Sequence, residues 1–368
     1  MNLNLLGIAH LVLTVLLVAS LPLSIVLASR DANKYRKLAW VTLFLTFDLV
    51  VFGGFTRLTD SGLGCPDWPG CYGHANPLQA NTEIQSAQAI MPTGPVTERK
   101  AWIEMIHRYL ASAVGVLILA MICISCWKRV WDKDKSRIFH PAWPFGLLAL
   151  IVVQGGFGAL TVTMKLQPVI VTTHLLLGLT LLGALGWNYA RLDDIAPVSP
   201  RAYGLRHLAL VALLFLAFQT ALGGWVSTNY ATLACGEFPL CQGQLVPPMD
   251  FANGFTLWRA LGRTANGAYL SLDALTAIHW VHRNFALIAI AAVGYVAWQA
   301  RKIAGMERLG KRLLAVLAVQ FITGVSTIFF QFPLLLAVLH NAGAALLVAL
   351  LVMVNYRSRN APRQAGPA

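Results

Sequence analysis

The sequence predicts an all-α polytopic membrane protein, organised as two tandem four-helix bundles with one extra N-terminal transmembrane helix. Three observations carry that expectation. The 368 residues are 57% hydrophobic and only 12% charged, with a mean hydropathy of +0.64, well outside the range of soluble globular chains. Apolar runs of about 20 residues, long enough to cross the hydrocarbon core as helices, recur along the chain. Basic residues collect in every second connection between those runs, the asymmetry that orients inserted helices. The formal net charge of +13 therefore reads as a membrane-orienting signal. No basic, aromatic-interleaved stretch points to nucleic acid.

Nine spans are expected, at about 6–28, 38–58, 102–127, 143–163, 169–190, 206–228, 278–300, 312–331 and 334–356. The first has no Lys or Arg ahead of its apolar core and Arg30 to Lys37 behind it. That is the reverse of a signal peptide's charge order, so it reads as a true span. The basic connections are Arg30–Lys37, Lys128–Arg137, Arg191–Arg206, Arg301–Arg312 and Arg357–Arg363. The other set holds only Arg57, Arg99, Lys100, Lys165, Arg259 and Arg263. This alternation puts the N-terminus and the long loops 59–101 and 229–277 outside, and the C-terminus in the cytoplasm.

An internal repeat organises the spans. Residues 53–73, GGFTRLTDSGLGCPDWPGCYG, align without a gap on residues 223–243, GGWVSTNYATLACGEFPLCQG. Gly-Gly, both cysteines, the proline between them and the closing glycine all match. Further on, His107-Arg108 matches His282-Arg283, Gln154 matches Gln320 and His174 matches His340. Each copy holds four spans, an even number, so the copies share an orientation and are expected to be related by a pseudo-two-fold along the membrane normal. The expected division is 1–37 for the extra helix and its loop, 38–191 for the N-terminal half and 192–368 for the C-terminal half.

Ionisable groups at the mouth of an apolar span are costly and read as functional. His107 and His174 each lie about five residues into spans that start outside, so both imidazoles sit roughly 7–8 Å below one surface. His282 and His340 repeat the arrangement. Two imidazoles at one depth on facing helices form an axial pair for haem iron, and bundle interiors hold such cofactors. Four histidines make two haem sites. A histidine hydrogen-bonded to a neighbouring helix is the bland reading of any one of them. Zinc fits less well, because the Cys and His groups are not at tetrahedral-site spacing.

Arg108 and Arg283 each follow such a histidine, where a guanidinium fork suits haem propionates; snorkelling to headgroups is the other reading. Glu104 stands one turn before His107, on the same face, and its counterpart is His279. An acid in one copy alone suits chemistry in that half, while an ion pair with Arg108 or Lys100 is the structural alternative. Cys65 with Cys71, and Cys235 with Cys241, stand in outside loops after what reads as a Gly-Gly turn. Each pair can close a small disulfide ring in an oxidising space and shape a lid; a redox-active dithiol is the alternative. Cys123 and Cys126 fall inside a span and read as small buried residues.

Taken together, GGFTRLTDSGLGCPDWPGCYG, EMIHR, the His174 span, CGEFPLC, HWVHR and the His340 span resemble the haem A synthase family over about residues 38–356. That family converts haem O to haem A for cytochrome oxidase in bacterial and mitochondrial membranes. The resemblance implies that His107 and His174, with Glu104, hold the haem being oxidised, and that His282 and His340 hold a permanent haem b. It implies successive hydroxylations of a ring methyl to a formyl group, with electrons arriving through haem b and Glu104 serving proton delivery or stabilisation. Arg57 and Arg108 become candidates for the substrate's propionates, and Arg283 for those of haem b. Implied partners are membrane lipid, the haem O synthase, the oxidase assembly machinery and an electron donor that the sequence does not identify; a homo-oligomer stays open. The bacterial inner membrane is the expected location. Two features depart from the family: the extra first span, and Asp48 at mid-depth in the second span, read as a buried hydrogen bond or a proton path. A di-haem b-type cytochrome that only carries electrons between quinol and a partner is the alternative, and a parallel-repeat transporter a weaker one.

Overall fold

The computed structural model describes residues 5–134, 136, 138–192 and 197–362. Lys135, Arg137 and Arg363, counted above in the basic connections, lie outside the described residues. The described residues form helices and no named strand, and nine of the helices are long and apolar enough to cross a membrane. They are α1 (Leu5–Ala28), α2 (Lys34–Leu58), α4 (Glu98–Val130), α5 (Ala142–Thr163), α6 (Pro168–Leu192), α7 (Arg206–Thr228), α9 (Leu272–Ala300), α10 (Glu307–Phe329) and α11 (Leu334–Arg359). Two short helices, α3 (Asn81–Ile90) and α8 (Phe251–Gly254), lie in the long loops.

Several helices begin earlier than hydropathy suggests, because capping rather than apolarity sets a helix start. The Thr97 side chain accepts from Lys100 N and opens α4 at Glu98, and Ser271 accepts from Ala274 N and opens α9 at Leu272. The first turns of α4 and α10 carry charged residues, Glu98 and Arg99 in one and Glu307 and Arg308 in the other. A helix accepts these where it emerges from the apolar layer. Asn33 caps α2 in the same way, through Arg36 N at 2.9 Å.

The chain divides into two compact units, Met1–Leu166 with Thr180–Leu192, and Gln167–Leu179 with Asp193–Ala368. In the first unit, α2 packs on α4 and α4 on α5. Leu38 and Val41 of α2, Leu117 and Met121 of α4, Leu147 of α5 and Leu185 of α6 form its core. Tyr35 Oη and Ser125 Oγ share a buried hydrogen bond of 2.8 Å inside it. The extra helix α1 lies against α2 and α4, placing Leu23 and Val26 on that core and Leu11 and Val18 beneath the loop end. The rest of its surface, including Leu6, Leu13, Leu17 and Leu21, is exposed and suits lipid.

Above this core the loop after α2 folds back onto α4. A Cβ on Gly64 would stand 2.4 Å from the Lys100 carbonyl carbon, so only glycine lets the loop lie on the first turn of α4. Cys65, Cys71, Ile84, Met105 and Tyr109 then pack as a second cluster, and Tyr109 Oη donates to Ala75 O at 2.7 Å.

In the second unit α7, α9, α10 and α11 form a closed ring, each packing on the next and α11 returning to α7. The buried Asn355 amide on α11 donates to Ala209 O of α7 at 2.9 Å, satisfying a polar group that would be costly in an apolar layer. Trp225, Val226, Ala231 and Ile278 close its loop end, with Val169 of α6 packed against them.

Three expectations change. The Gly-Gly pairs are not turns: Gly53-Gly54 lie inside α2 and Gly223-Gly224 inside α7, and the chain turns only after Thr59 and Asn229. Cys123 is exposed and Cys126 half-buried on α4, so neither is a buried packing residue; their helix presents that face outward. Asp48 likewise sits on an exposed position of α2, which removes the buried hydrogen bond.

Candidate functional site

Each unit seats an imidazole against a glycine of a neighbouring helix. A Cβ on Gly53 of α2 would lie 3.0 Å from His107 Cε1 on α4, and one on Gly223 of α7 would lie 3.0 Å from His282 Cε1 on α9. The repeated Gly-Gly therefore gives the histidine edge room that no other residue would leave. Phe52 stacks near the His107 ring, with centroids 6.3 Å apart.

In the second unit a third glycine does the same work. A Cβ on Gly324 of α10 would stand 2.9 Å from His340 Cε1 on α11. His282 on α9 and His340 on α11 stand on two helices of the one ring, each packed on both α7 and α10. Both have polar neighbours, of which the sequence repeat singles out only Gln320. The Gln219 amide nitrogen is 3.1 Å from His282 Nδ1 and 3.1 Å from the His282 carbonyl oxygen. Around His340, Gln320 Nε2 is 3.2 Å from Nε2 and Thr323 Oγ1 is 3.2 Å from Nδ1. The signal was available in part, since Gln320 had been matched to Gln154; Gln219 and Thr323 have no polar counterpart in the other copy. His174 stands in the second turn of α6, half-buried, on the stretch that packs in the second unit.

The residues just before and after the histidines face the cysteine rings. Cys65 is bonded to Cys71, and Cys235 to Cys241. The buried Glu104 carboxylate accepts from Cys65 N at 2.8 Å through Oε2 and pairs with Arg108 through Oε1. In the second unit, Cys235 N donates at 3.4 Å to Nδ1 of His279, the counterpart of Glu104. Arg108 donates to the carbonyls of Asp67 at 3.0 Å, Pro69 at 3.3 Å and Gly70. Arg283 donates to Pro239 O at 3.1 Å and Leu240 O at 3.2 Å, with its guanidinium 5.3 Å from the Phe238 ring. Arg57 pairs with Asp60 at 3.0 Å on the exposed rim. The two rings also share backbone detail: Tyr72 and Gln242 have φ of 51° and 54°, and Cys71 bridges His74 as Cys241 bridges Gln244.

A haem fits this donor set. Neutral imidazoles are suitable iron ligands, and the glycines let each ring lie close against the neighbouring helix, where a side chain would displace it. Arg283 Nη1 is buried with no hydrogen-bond partner, a donor of the kind a propionate satisfies. Among the described residues no group of three or more His, Cys, Asp or Glu gathers as a site for a bare metal ion.

The fold defines a polytopic, all-helical membrane protein, and its histidines are of a type suited to ligating haem iron. The chain belongs to the COX15-CtaA family, described as cytochrome oxidase assembly protein, whose family model matches residues 36–352. Among its relatives, the "Heme A synthase" of Shewanella oneidensis is 37% identical over 325 residues, covering 87% of this chain and 96% of that protein. The "Heme A synthase" of Nitrosospira multiformis is 30% identical, covering 87% and 92%, and that of Caulobacter vibrioides 28% identical, covering 87% and 94%.

Proposed function

We propose that this chain oxidises haem O to haem A, turning a ring methyl into a formyl group by successive hydroxylations. The observation that carries the reading is the twice-built seat, an imidazole against a glycine beneath a disulfide ring, in a chain 37% identical to a protein named "Heme A synthase". His107, and His174 in sequence half 38–191, are the ligands proposed for the substrate haem on the strength of the family resemblance. His282 and His340 hold haem b in the C-terminal half, 192–368, and that haem supplies electrons. Arg57 and Arg108 orient the substrate's propionates, and Arg283, through its unpartnered Nη1, those of haem b. Glu104 is the acid–base group of the N-terminal half. One helical turn from His107 and held between the Cys65 amide and Arg108, its carboxylate is fixed in place to exchange a proton.

The chain lies in the bacterial inner membrane, with the N-terminus and cysteine loops outside and the C-terminus in the cytoplasm. It receives haem O from the synthase that makes it and serves assembly of cytochrome oxidase. The test is haem extraction and chromatography on the purified protein, expressed with and without a haem O supply. The expected result is haem b in both samples, with haem O, a hydroxylated product or haem A only in the supplied one. Two equivalents of haem b in both would overturn the reading in favour of an electron-carrying cytochrome.

A further inference from the structure

An imidazole that binds iron through Nε2 must hold its proton on Nδ1, and what Nδ1 donates to sets both ring orientation and ligand strength. Around His340 the hydrogen-bond directions close on one answer. Gln320 Nε2, an amide nitrogen 3.2 Å from His340 Nε2, can only donate. His340 Nε2 is therefore the acceptor, through the one lone pair that iron would have to take over from the Gln320 amide, and a neutral ring carries its proton at Nδ1. Facing Nδ1 at 3.2 Å is Thr323 Oγ1. The single Thr323 hydroxyl proton is drawn to helix carbonyls, Val319 O at 2.9 Å and Gln320 O at 3.1 Å, so the oxygen turns a lone pair to the ring. The side chain is nearly buried, 7% exposed.

We infer that Thr323 is a positioning residue that fixes His340 in the tautomer competent to bind iron through Nε2, and that it strengthens this ligand by accepting from Nδ1. The inference rests on the haem reading above. The offset that aligns Gln154 with Gln320 and His174 with His340 puts Phe157 opposite Thr323. Phe157 has no hydrogen-bonding group, so the device belongs to the C-terminal copy. A ligand whose Nδ1–H is hydrogen-bonded donates more electron density, which favours ferric iron and slows haem loss.

The test uses full-length protein in a His107→Ala background, so that only the second unit reports, loaded with haem b. Potentiometric titration gives the midpoint potential, and transfer to excess apomyoglobin gives the rate of haem loss. Thr323→Val, which keeps the shape and removes the acceptor, is expected to raise the potential and speed loss about tenfold or more, the range for second-layer partners of metal ligands. Thr323→Ser is expected to restore both values. Unchanged potential and loss rate in Thr323→Val, with haem bound, overturn the inference alone. A His107→Ala protein that takes up no haem, or keeps it after His340→Ala, overturns the haem reading and this inference with it.

Discussion

Gly223→Ala is the sharpest perturbation the site allows. Its Cβ would stand 3.0 Å from His282 Cε1, and the Cβ of Gly324→Ala 2.9 Å from His340 Cε1. Both fall about 0.5 Å or more short of an ordinary carbon contact of ~3.5–4.0 Å. The imidazole is boxed by its hydrogen bonds to Gln219, or to Gln320 and Thr323, so relief comes from moving the ring. Overpacking of this kind costs about 1–3 kcal/mol, and a ligand displaced by ~0.5 Å is already at the tolerance of a bound group. Charged against haem binding, that range is roughly 5- to 150-fold in affinity. Backbone propensity acts the other way, because Ala in a helix interior is favoured over Gly by about 1 kcal/mol. Gly146→Ala, where a Cβ meets nothing within 4 Å, supplies the control and should be neutral or stabilising. The assay is haem per chain from the pyridine haemochrome spectrum, with circular dichroism to establish that helicity is intact. Gly223→Ala and Gly324→Ala are expected to lose haem from the second unit, and Gly53→Ala from the first, with the control unaffected. Wild-type haem content in both Gly53→Ala and Gly223→Ala would refute the glycine-seat argument.

The cysteine loops and their anchors give three further expectations. Arg108→Ala leaves the Glu104 carboxylate, 5% exposed, without its cation, which should destabilise the first unit by about 3–5 kcal/mol. Arg283→Ala breaks no buried ion pair of the Glu104–Arg108 kind among the described residues, so its loss in detergent melting should be smaller, and equal losses would count against the ion pair. Glu104→Gln retains an oxygen to accept from Cys65 N but no acid–base function, so helicity and haem b should persist while haem A output falls. Wild-type output would remove Glu104 from the chemistry. Asp250 caps α8, and hydrogen bonds from Asn253 hold its carboxyl below the usual carboxylate value. The cap is therefore present at neutral pH and lost as pH falls through that lowered value, which hydrogen exchange at Asn253 across a pH series should follow; a flat profile would contradict it.

The membrane helices were legible because an apolar layer imposes one requirement, an apolar run long enough to cross it. Their starts were not, because α4 and α9 begin at the caps Thr97 and Ser271, where hydropathy carries no signal. Glycine misled in one place: a Gly-Gly pair in sequence reads as a turn, yet Gly53 and Gly223 lie within helices and are required by the neighbouring imidazoles. The four histidines were visible through the repeat. The grip of Arg108 and Arg283 on the ring carbonyls was not, since it depends on the path of a loop whose backbone atoms carry no side-chain signature.

The amide of the first cysteine in each ring finds an acceptor on the following helix, a carboxylate in one unit and an imidazole in the other. Those acceptors are geometrically interchangeable but differ by a full charge. Where the acceptor is Glu104, the neighbouring guanidinium is drawn into balancing it. Where it is His279, no balancing is needed, and Arg283 keeps one buried nitrogen uncommitted. A single exchange of residue type at a loop anchor thus leaves the backbone path alone while changing how far the arginine one helical turn on is committed, so the halves of a duplicated protein can diverge in electrostatics before they diverge in shape.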